Sequence, residues 1–471
     1  MFFAAITRPQ RAAKPMTTST KLPILTERSG LGLTSWMVLG IVCCTAFVAY
    51  SLSWSEAPLS NPDTSSYLQV AQDFSASGHF VQLHDRTPGL PLFLLLTGTG
   101  RRYFYTVLLL HLVSIVALVL ILSRLAVRME LIWAFVLLAL LPPYMQNDAY
   151  LSSEALAGTL LVLGFVGVSL FILNRNYWIY CLLASVCFLC AGLTRPTNLI
   201  TPFLLAGILA LSRRKLILGA VLLAFLPALI AGAYVLYTDT NVHLFGLSAQ
   251  TGYQLCNSTV RLYEYIDNPI AREEFLRART ELYVEGSAPN YAVWKVRPIL
   301  KERLRLSDVE LGRFLLRMNV RLILHHPEGY LETIVRGANM YWFPYETKII
   351  VQPSALRAVW FGAQLLVSAV FLLDVTVLGG LAVGSLITSR KLIYLGDRAL
   401  PHLLALAIIF QTMIVSFLVI GSGSPRYRSV TDLLILFDVA LVADWGWTTW
   451  HASRCDPLIE GEEPHSDIAR A

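Results

Sequence analysis

The chain has 471 residues, 55% of them hydrophobic and only 14% charged, and a mean hydropathy of +0.59. Soluble domains carry about 25% charged residues, so this composition excludes an ordinary soluble globular fold. The net charge of +6 maps mostly to short segments between apolar runs, which speaks against a nucleic-acid-binding patch and for a signal of membrane orientation.

In chain order, Arg8, Arg11, Lys14, Lys21 and Arg28 precede an apolar run, Thr34 to Trp54, long enough to cross the hydrocarbon core. This pattern predicts an uncleaved first span rather than a cleavable signal. Further spans are expected at Tyr103–Leu122, Leu131–Met145, Glu154–Leu173, Tyr177–Leu193, Leu199–Leu211 and Lys215–Tyr237. From Thr238 to Pro353 acidic residues and arginines gather and no apolar run is long enough to span, which predicts a folded loop domain. Spans return at Val359–Leu386, Pro401–Ile420 and Val430–Trp450. The run Ala355–Ile387 is long for one helix; two would reverse the charge bias of the loops after it, so one is preferred.

These elements predict an all-α polytopic membrane protein with about ten transmembrane helices and a large extracytoplasmic loop domain. The expected organisation is a cytoplasmic tail (1–32) and an N-terminal transmembrane module (33–237) that includes a first outer loop (55–102). The loop domain (238–353), a C-terminal transmembrane module (354–450) and a second cytoplasmic tail (451–471) follow. Segments assigned inside carry sixteen Lys and Arg residues against six in the short outer segments, as the positive-inside rule requires. Of seven cysteines only Cys256 falls in the outer loop domain, so no intrachain disulfide is available there.

The first outer loop is the most informative segment. It reads Asn61-Pro-Asp-Thr-Ser-Ser-Tyr67 onward to Gly78-His-Phe80, then Arg86-Thr-Pro88-Gly89-Leu-Pro91-Leu-Phe-Leu94. Tyr67, Val70, Ala71 and Phe74 recur at helical spacing behind Asp63, which stands at the N-cap position, and Gly78 stands where the helix should stop. Pro88 and Pro91 suit the start of a second short helix. Two surface helices would then hold Asp63 and Arg86 close to the bilayer, on a face that also collects Asp148, Glu154, Arg195 and Arg426.

The order Asp-x-x-x-Tyr-x-x-x-Ala, then Arg-Thr-Pro-Gly-x-Pro-x-Phe-Leu, resembles the first-loop signature of GT-C-fold glycosyltransferases. The resemblance is strongest to the protein O-mannosyltransferases and the bacterial lipid A aminoarabinose transferases. Ser153-Glu154-Ala-Leu, Gly192-Leu-Thr-Arg195-Pro196, Pro425-Arg426-Tyr427, His326-Pro327-Glu-Gly-Tyr330 and Trp342-Phe-Pro344 agree with it in order and spacing. The resemblance implies a plasma (inner) membrane enzyme of the bacterial type, with both termini cytoplasmic and its active site facing outside. It would move a sugar from a polyprenyl-phosphate donor to a glycolipid, polysaccharide or protein acceptor, with inversion. Asp63 maps onto the first-loop aspartate, the candidate base for the acceptor hydroxyl. Arg426, Arg195 and Arg86 are the candidates for holding the lipid phosphate, with Tyr67, Glu154 and Tyr427 in support. Asp63 is followed by Thr64, where many relatives carry a second acid, which leaves two alternatives: Glu154 or Asp148 fills that place, or the site lacks a second acid. No cofactor is implied. The nine histidines are scattered, and a divalent metal, though compatible with such chemistry, has no support in their spacing.

Each of these residues also has a plainer reading. Asp63 is a natural helix cap, Arg426 and Arg428 suit interfacial anchors, and Arg86 suits a partner for Asp85 or Asp63. Glu154 sits where an acid favours the helix dipole, and Tyr341, Trp342, Phe343 and Tyr345 fit a membrane-surface aromatic belt as readily as a sugar platform. The alternative function is a transporter or flippase for a lipid-linked or small polar substrate, although no internal repeat supports it. An O-antigen polymerase or ligase is disfavoured, because the informative loop follows the first span rather than lying late in the chain.

Overall fold

The computed structural model describes residues 31–61, 63–78, 86–174, 177–342, 354–376, 380, 398–420 and 428–455. Among them the regular structure is helical, and the one β-type contact is an isolated parallel bridge between Leu59 and Tyr150. After α1 (Leu33–Ser53) come two short helices, α2 (Thr64–Ser77) and α3 (Gly89–Thr97), then α4 (Arg101–Arg124). The next segment, α5 (Met129–Ala139) with α6 (Pro142–Met145), bends by 60° at the break. Pro142 and Pro143 explain the bend: neither has an N–H to donate, and each ring crowds the preceding turn. α7 (Ser153–Leu173), α8 (Trp178–Thr194), α9 (Thr201–Ser212) and α10 (Ile217–Val242) complete the first bundle.

Four helices form a polar unit, α11 (Gln250–Ser258), α12 (Pro269–Val284), α13 (Ala292–Leu304) and α14 (Asp308–His325). It has its own core, in which Tyr253, Tyr263, Phe275, Leu311 and Leu315 are fully buried. Its helix starts are well capped: Asn268 accepts from the Ala271 N–H at 2.9 Å, and Ser307 with Glu310 forms a reciprocal capping box. The chain then passes through α15 (Pro327–Trp342) back to the apolar bundle, where α16 (Ser354–Asp374), α17 (Ala399–Val415) and α18 (Asp432–Cys455) follow. α17 continues into a π-helical turn, Ser416–Ile420.

Among the described residues six helices are long and apolar enough to cross a membrane, or seven if the bent pair is one span. Three shorter apolar helices, Trp178–Thr194, Pro196–Ser212 and Gln364–Asp374, lie where the sequence places further spans. The chain is a multi-pass membrane protein. α7 is its central post, with 72% of its apolar window buried, whereas α1 is peripheral at 6%. α7 reaches the centre because its packing face is small. A Cβ on Gly164 would lie 2.7 Å from the Phe188 ring, and one on Gly167 would lie 2.9 Å from the Tyr180 carbonyl, so both glycines let α8 pack against α7. In lipid, where apolar surface alone does not drive association, such close backbone approach is the main source of helix–helix attraction.

Candidate active site

The first loop folds as two short helices. Gly78 adopts the left-handed conformation at the end of α2 (φ 70°) and accounts for the stop there. Asp63 occupies the N-cap position, yet its carboxylate makes no capping hydrogen bond. Asn61 and Thr64 order that turn instead: the Asp63 N–H donates to Asn61 Oδ1 at 2.8 Å, and the Asn61 N–H donates to Thr64 Oγ1 at 2.8 Å. The Asp63 carboxylate is thereby released to accept from Arg86 Nη2 at 2.6 Å.

Arg86 is held from three further directions. Its Nε donates to Ser66 Oγ at 2.8 Å, its Nη1 donates to Gln250 Oε1 of α11 at 3.4 Å, and its guanidinium lies 4.7 Å from the centroid of the buried Tyr67 ring. A planar cation with a fixed fork of donors is oriented by such a set, where a lysine would not be.

Two further segments meet this loop. The Leu59–Tyr150 bridge, through Leu59 N–H to Ala149 O at 2.6 Å and Leu151 N–H to Leu59 O at 2.9 Å, ties it to the turn before α7. Thr64 Oγ1 adds a bond to the Leu151 carbonyl at 3.0 Å, and Tyr103 Oη donates to the Ser152 carbonyl at 3.0 Å. On the other side, Thr87 Oγ1 donates to the Thr194 carbonyl at 3.4 Å, and Gly89 packs directly on the Leu193–Thr194 backbone. The next residue, Arg195, reaches Glu154 in the first turn of α7, with Nη1 to Oε1 at 2.7 Å. The Asp63–Arg86–Tyr67 group and the Glu154–Arg195 pair are thus tied to one another through the Thr64–Leu151 and Thr87–Thr194 hydrogen bonds. Arg426 and Tyr427 lie outside the described residues.

The two acids differ in access. The Asp63 side chain is 28% exposed, while that of Glu154 is 1% exposed and sealed against Arg195. A buried ion pair that loses one member leaves an uncompensated charge, at a cost of about 3–5 kcal/mol. Glu154 therefore fixes the Arg195 guanidinium, and Asp63 is the solvent-accessible carboxylate of the two. Asp148, the other acid considered for a second role, is fully buried beside His111, whose Nδ1 lies 2.9 Å from Asp148 Oδ2.

His111 is a residue that the sequence reading passed over. Its signal was present, since an ionisable group inside an apolar span (Leu108-Leu-Leu-His111-Leu-Val) usually marks a polar partner within the bundle. Arg428 is not an interfacial anchor. It is 2% exposed, its Nε donates to Asp432 Oδ1 at 2.9 Å, and its guanidinium lies 5.5 Å from the Trp342 ring centroid. Tyr341 and Trp342 are buried against Phe417 and Phe371 respectively, so they form neither a belt nor a sugar platform; Phe343 and Tyr345 lie outside the described residues.

No protein-family model matches the sequence, and no curated protein matches it. Among solved structures the chain is similar to ArnT from Cupriavidus metallidurans, crystallised bound to undecaprenyl phosphate. The two are 14% identical, the match covers 92% of this chain and 82% of that chain, and the TM-score is 0.35, a distant likeness.

Proposed function

We propose that the protein is an inverting membrane glycosyltransferase that takes its sugar from a polyprenyl-phosphate donor and transfers it on the outer side of the membrane. The observation that carries this reading is an accessible carboxylate, Asp63, paired with one oriented arginine, Arg86, in a loop whose next residue, Thr87, bonds to the Thr194 carbonyl just before a second oriented arginine, Arg195. In the proposed step the acceptor oxygen bonds to the anomeric carbon and its proton passes to Asp63. The bond from that carbon to the phosphate oxygen breaks, and the phosphate leaves with the electron pair. A phosphate leaving group requires no acid but gains from positive charge, and arginine meets it with a planar fork of donors. Arg195, Arg86 and, from its place in the sequence motif, Arg426 supply that charge, with Tyr67, Glu154 and Tyr427 supporting the site. The rest of the proposal follows: about ten spans, cytoplasmic termini, and the polar unit over residues 238–353 as an extracytoplasmic domain. The hydrogen bond from Arg86 to Gln250 of that unit, at 3.4 Å, supports placing the domain beside the site.

The test pairs lipid binding with transfer. Saturable binding of undecaprenyl phosphate to the purified protein, weakened at least tenfold in Arg195→Ala, is expected. Asp63→Asn is expected to keep that binding and to lose transfer by about 10²–10⁴-fold, the usual contribution of a positioned base. Undiminished turnover in Asp63→Asn would reject the base assignment. Folded protein that binds no polyprenyl phosphate would reject the donor and bring the transporter reading forward. One observation favours that second reading: ionisable residues are buried within the apolar bundle, at Asp374, His402 and Asp438.

A further inference from the structure

The transfer chemistry makes no use of a second constellation, which lies in the other half of the molecule. Asp374 ends α16, His402 lies in the first turn of α17, and Asp438 lies in the second turn of α18. Three helices bring these side chains together with 0–1% exposure. His402 Nε2 lies 3.0 Å from Asp374 Oδ2 and 3.2 Å from Asp438 Oδ1. One imidazole nitrogen carries at most one proton, so it cannot make a full hydrogen bond to both carboxylates. Among the described residues neither oxygen of Asp438 meets hydrogen-bond geometry with any group, and neither does Asp374 Oδ1. Buried carboxylate oxygens without donors are costly, and two facing carboxylates repel unless something positive lies between them.

We propose that Asp374, His402 and Asp438 bind a divalent metal ion that joins α16, α17 and α18. The spacing suits one. Ligand atoms at about 2.0–2.2 Å from a zinc-like ion, at tetrahedral or octahedral angles, stand about 3.0–3.5 Å apart, the range in which the two distances from His402 Nε2 fall. The donor set is one imidazole nitrogen and two carboxylates, which suits zinc or manganese and balances the ion's two charges. Arg128 and Arg398, further along the same bundle, already converge on Asp444 and do not supply that balance. The site is closed to solvent, so the ion's role is to hold helices together. Sequence spacing does not reveal it because its ligands come from three separate helices.

The test begins with protein purified through a tag without histidines and analysed for first-row metals. About one equivalent of zinc or manganese per chain is expected, falling to background in His402→Gln and Asp438→Asn. Should those variants fail to fold, the wild-type chain decides. Metal removed by a chelator and restored as Zn2+ or Mn2+ is expected to lower and then recover the melting temperature. Co2+ substitution is expected to give a visible absorption band of mixed nitrogen and oxygen ligation. Folded wild-type protein that holds no metal, takes up none of these ions and melts at the same temperature with or without chelator overturns the proposal. The carboxylates would then share protons instead. Metal bound equally by His402→Gln and wild type also overturns it, as an adventitious ion elsewhere.

Discussion

Gly89 is the position at which the candidate site is most sensitive to a single added carbon. It starts α3 directly against the last turn of α8, and a Cβ there would lie 2.4 Å from Thr194 N, 2.5 Å from Leu193 C and 2.6 Å from Leu193 O. All three are backbone atoms, so no side-chain rotation relieves the overlap. Ordinary contact begins at 3.4 Å, so Gly89→Ala must part α3 from α8 by about 1 Å. Overpacking of this kind costs about 1–3 kcal/mol, which is expected to appear as a lower melting temperature in detergent. The larger effect falls on function. Arg86 and Thr87 precede the displaced glycine and Arg195 follows the displaced strip of α8. A misplacement of about 1 Å between groups that act together costs on the order of 10²-fold in rate. The assay measures undecaprenyl phosphate binding, transfer and thermal unfolding for Gly89→Ala beside Gly232→Ala. Gly232 has open space around its would-be Cβ, so that control is expected to be neutral or to stabilise α10 by about 0.5–1 kcal/mol. A Gly89→Ala protein that melts, binds and turns over like the wild type would refute the argument that α3 and α8 fix the spacing of the arginines.

Arg86→Lys removes the fork that reaches Ser66, Asp63 and Gln250 at once and is expected to lower transfer by at least tenfold with little change in melting temperature; equal turnover would show that a point charge suffices. Asp444→Asn strips the fully buried carboxylate from Arg128 and Arg398, which contact it at 3.1 and 2.6 Å, and is expected to destabilise the bundle by about 3–5 kcal/mol, read by thermal unfolding. In the polar unit, burial pushes the Asp308 carboxyl up, but hydrogen bonds and charge from Lys301 and Arg297 together outweigh it and hold the carboxyl below its usual range. A carboxylate depressed in the folded state stabilises fully above its unfolded pKa of about 3.9, and that stability is lost as pH falls through the folded value. The melting-temperature gap between wild type and Asp308→Asn should therefore be widest near neutral pH and close below about pH 4; a gap that does not vary with pH would refute the ion-pair account.

Much of the architecture could be read from local pattern. Apolar run length identified the long spans, because a helix in lipid must satisfy its own backbone and so needs about 20 apolar residues in succession. The two helices of the first loop were equally legible, since Gly78, Pro88 and Pro91 act on their own backbone dihedrals whatever surrounds them. The short helices α8 and α9 and the bent α5–α6 pair were harder to delimit, because their lengths depend on the neighbours they pack against.

The sequence by itself determined that the chain crosses a membrane repeatedly, that a polar helical unit interrupts the apolar helices, and that Asp63, Arg86, Glu154 and Arg195 carry charge beside apolar runs. These follow from composition and period, which act over a few turns of chain. Tertiary structure alone decided which charges meet. Asp63 gives up its cap to take Arg86, Glu154 is sealed by Arg195, and Arg428 turns inward to Asp432. Asp374, His402 and Asp438 join from three helices. The reason is energetic: a buried charge is costly until it finds its counter-charge, and where that partner lies depends on how helices cross, which no local pattern encodes.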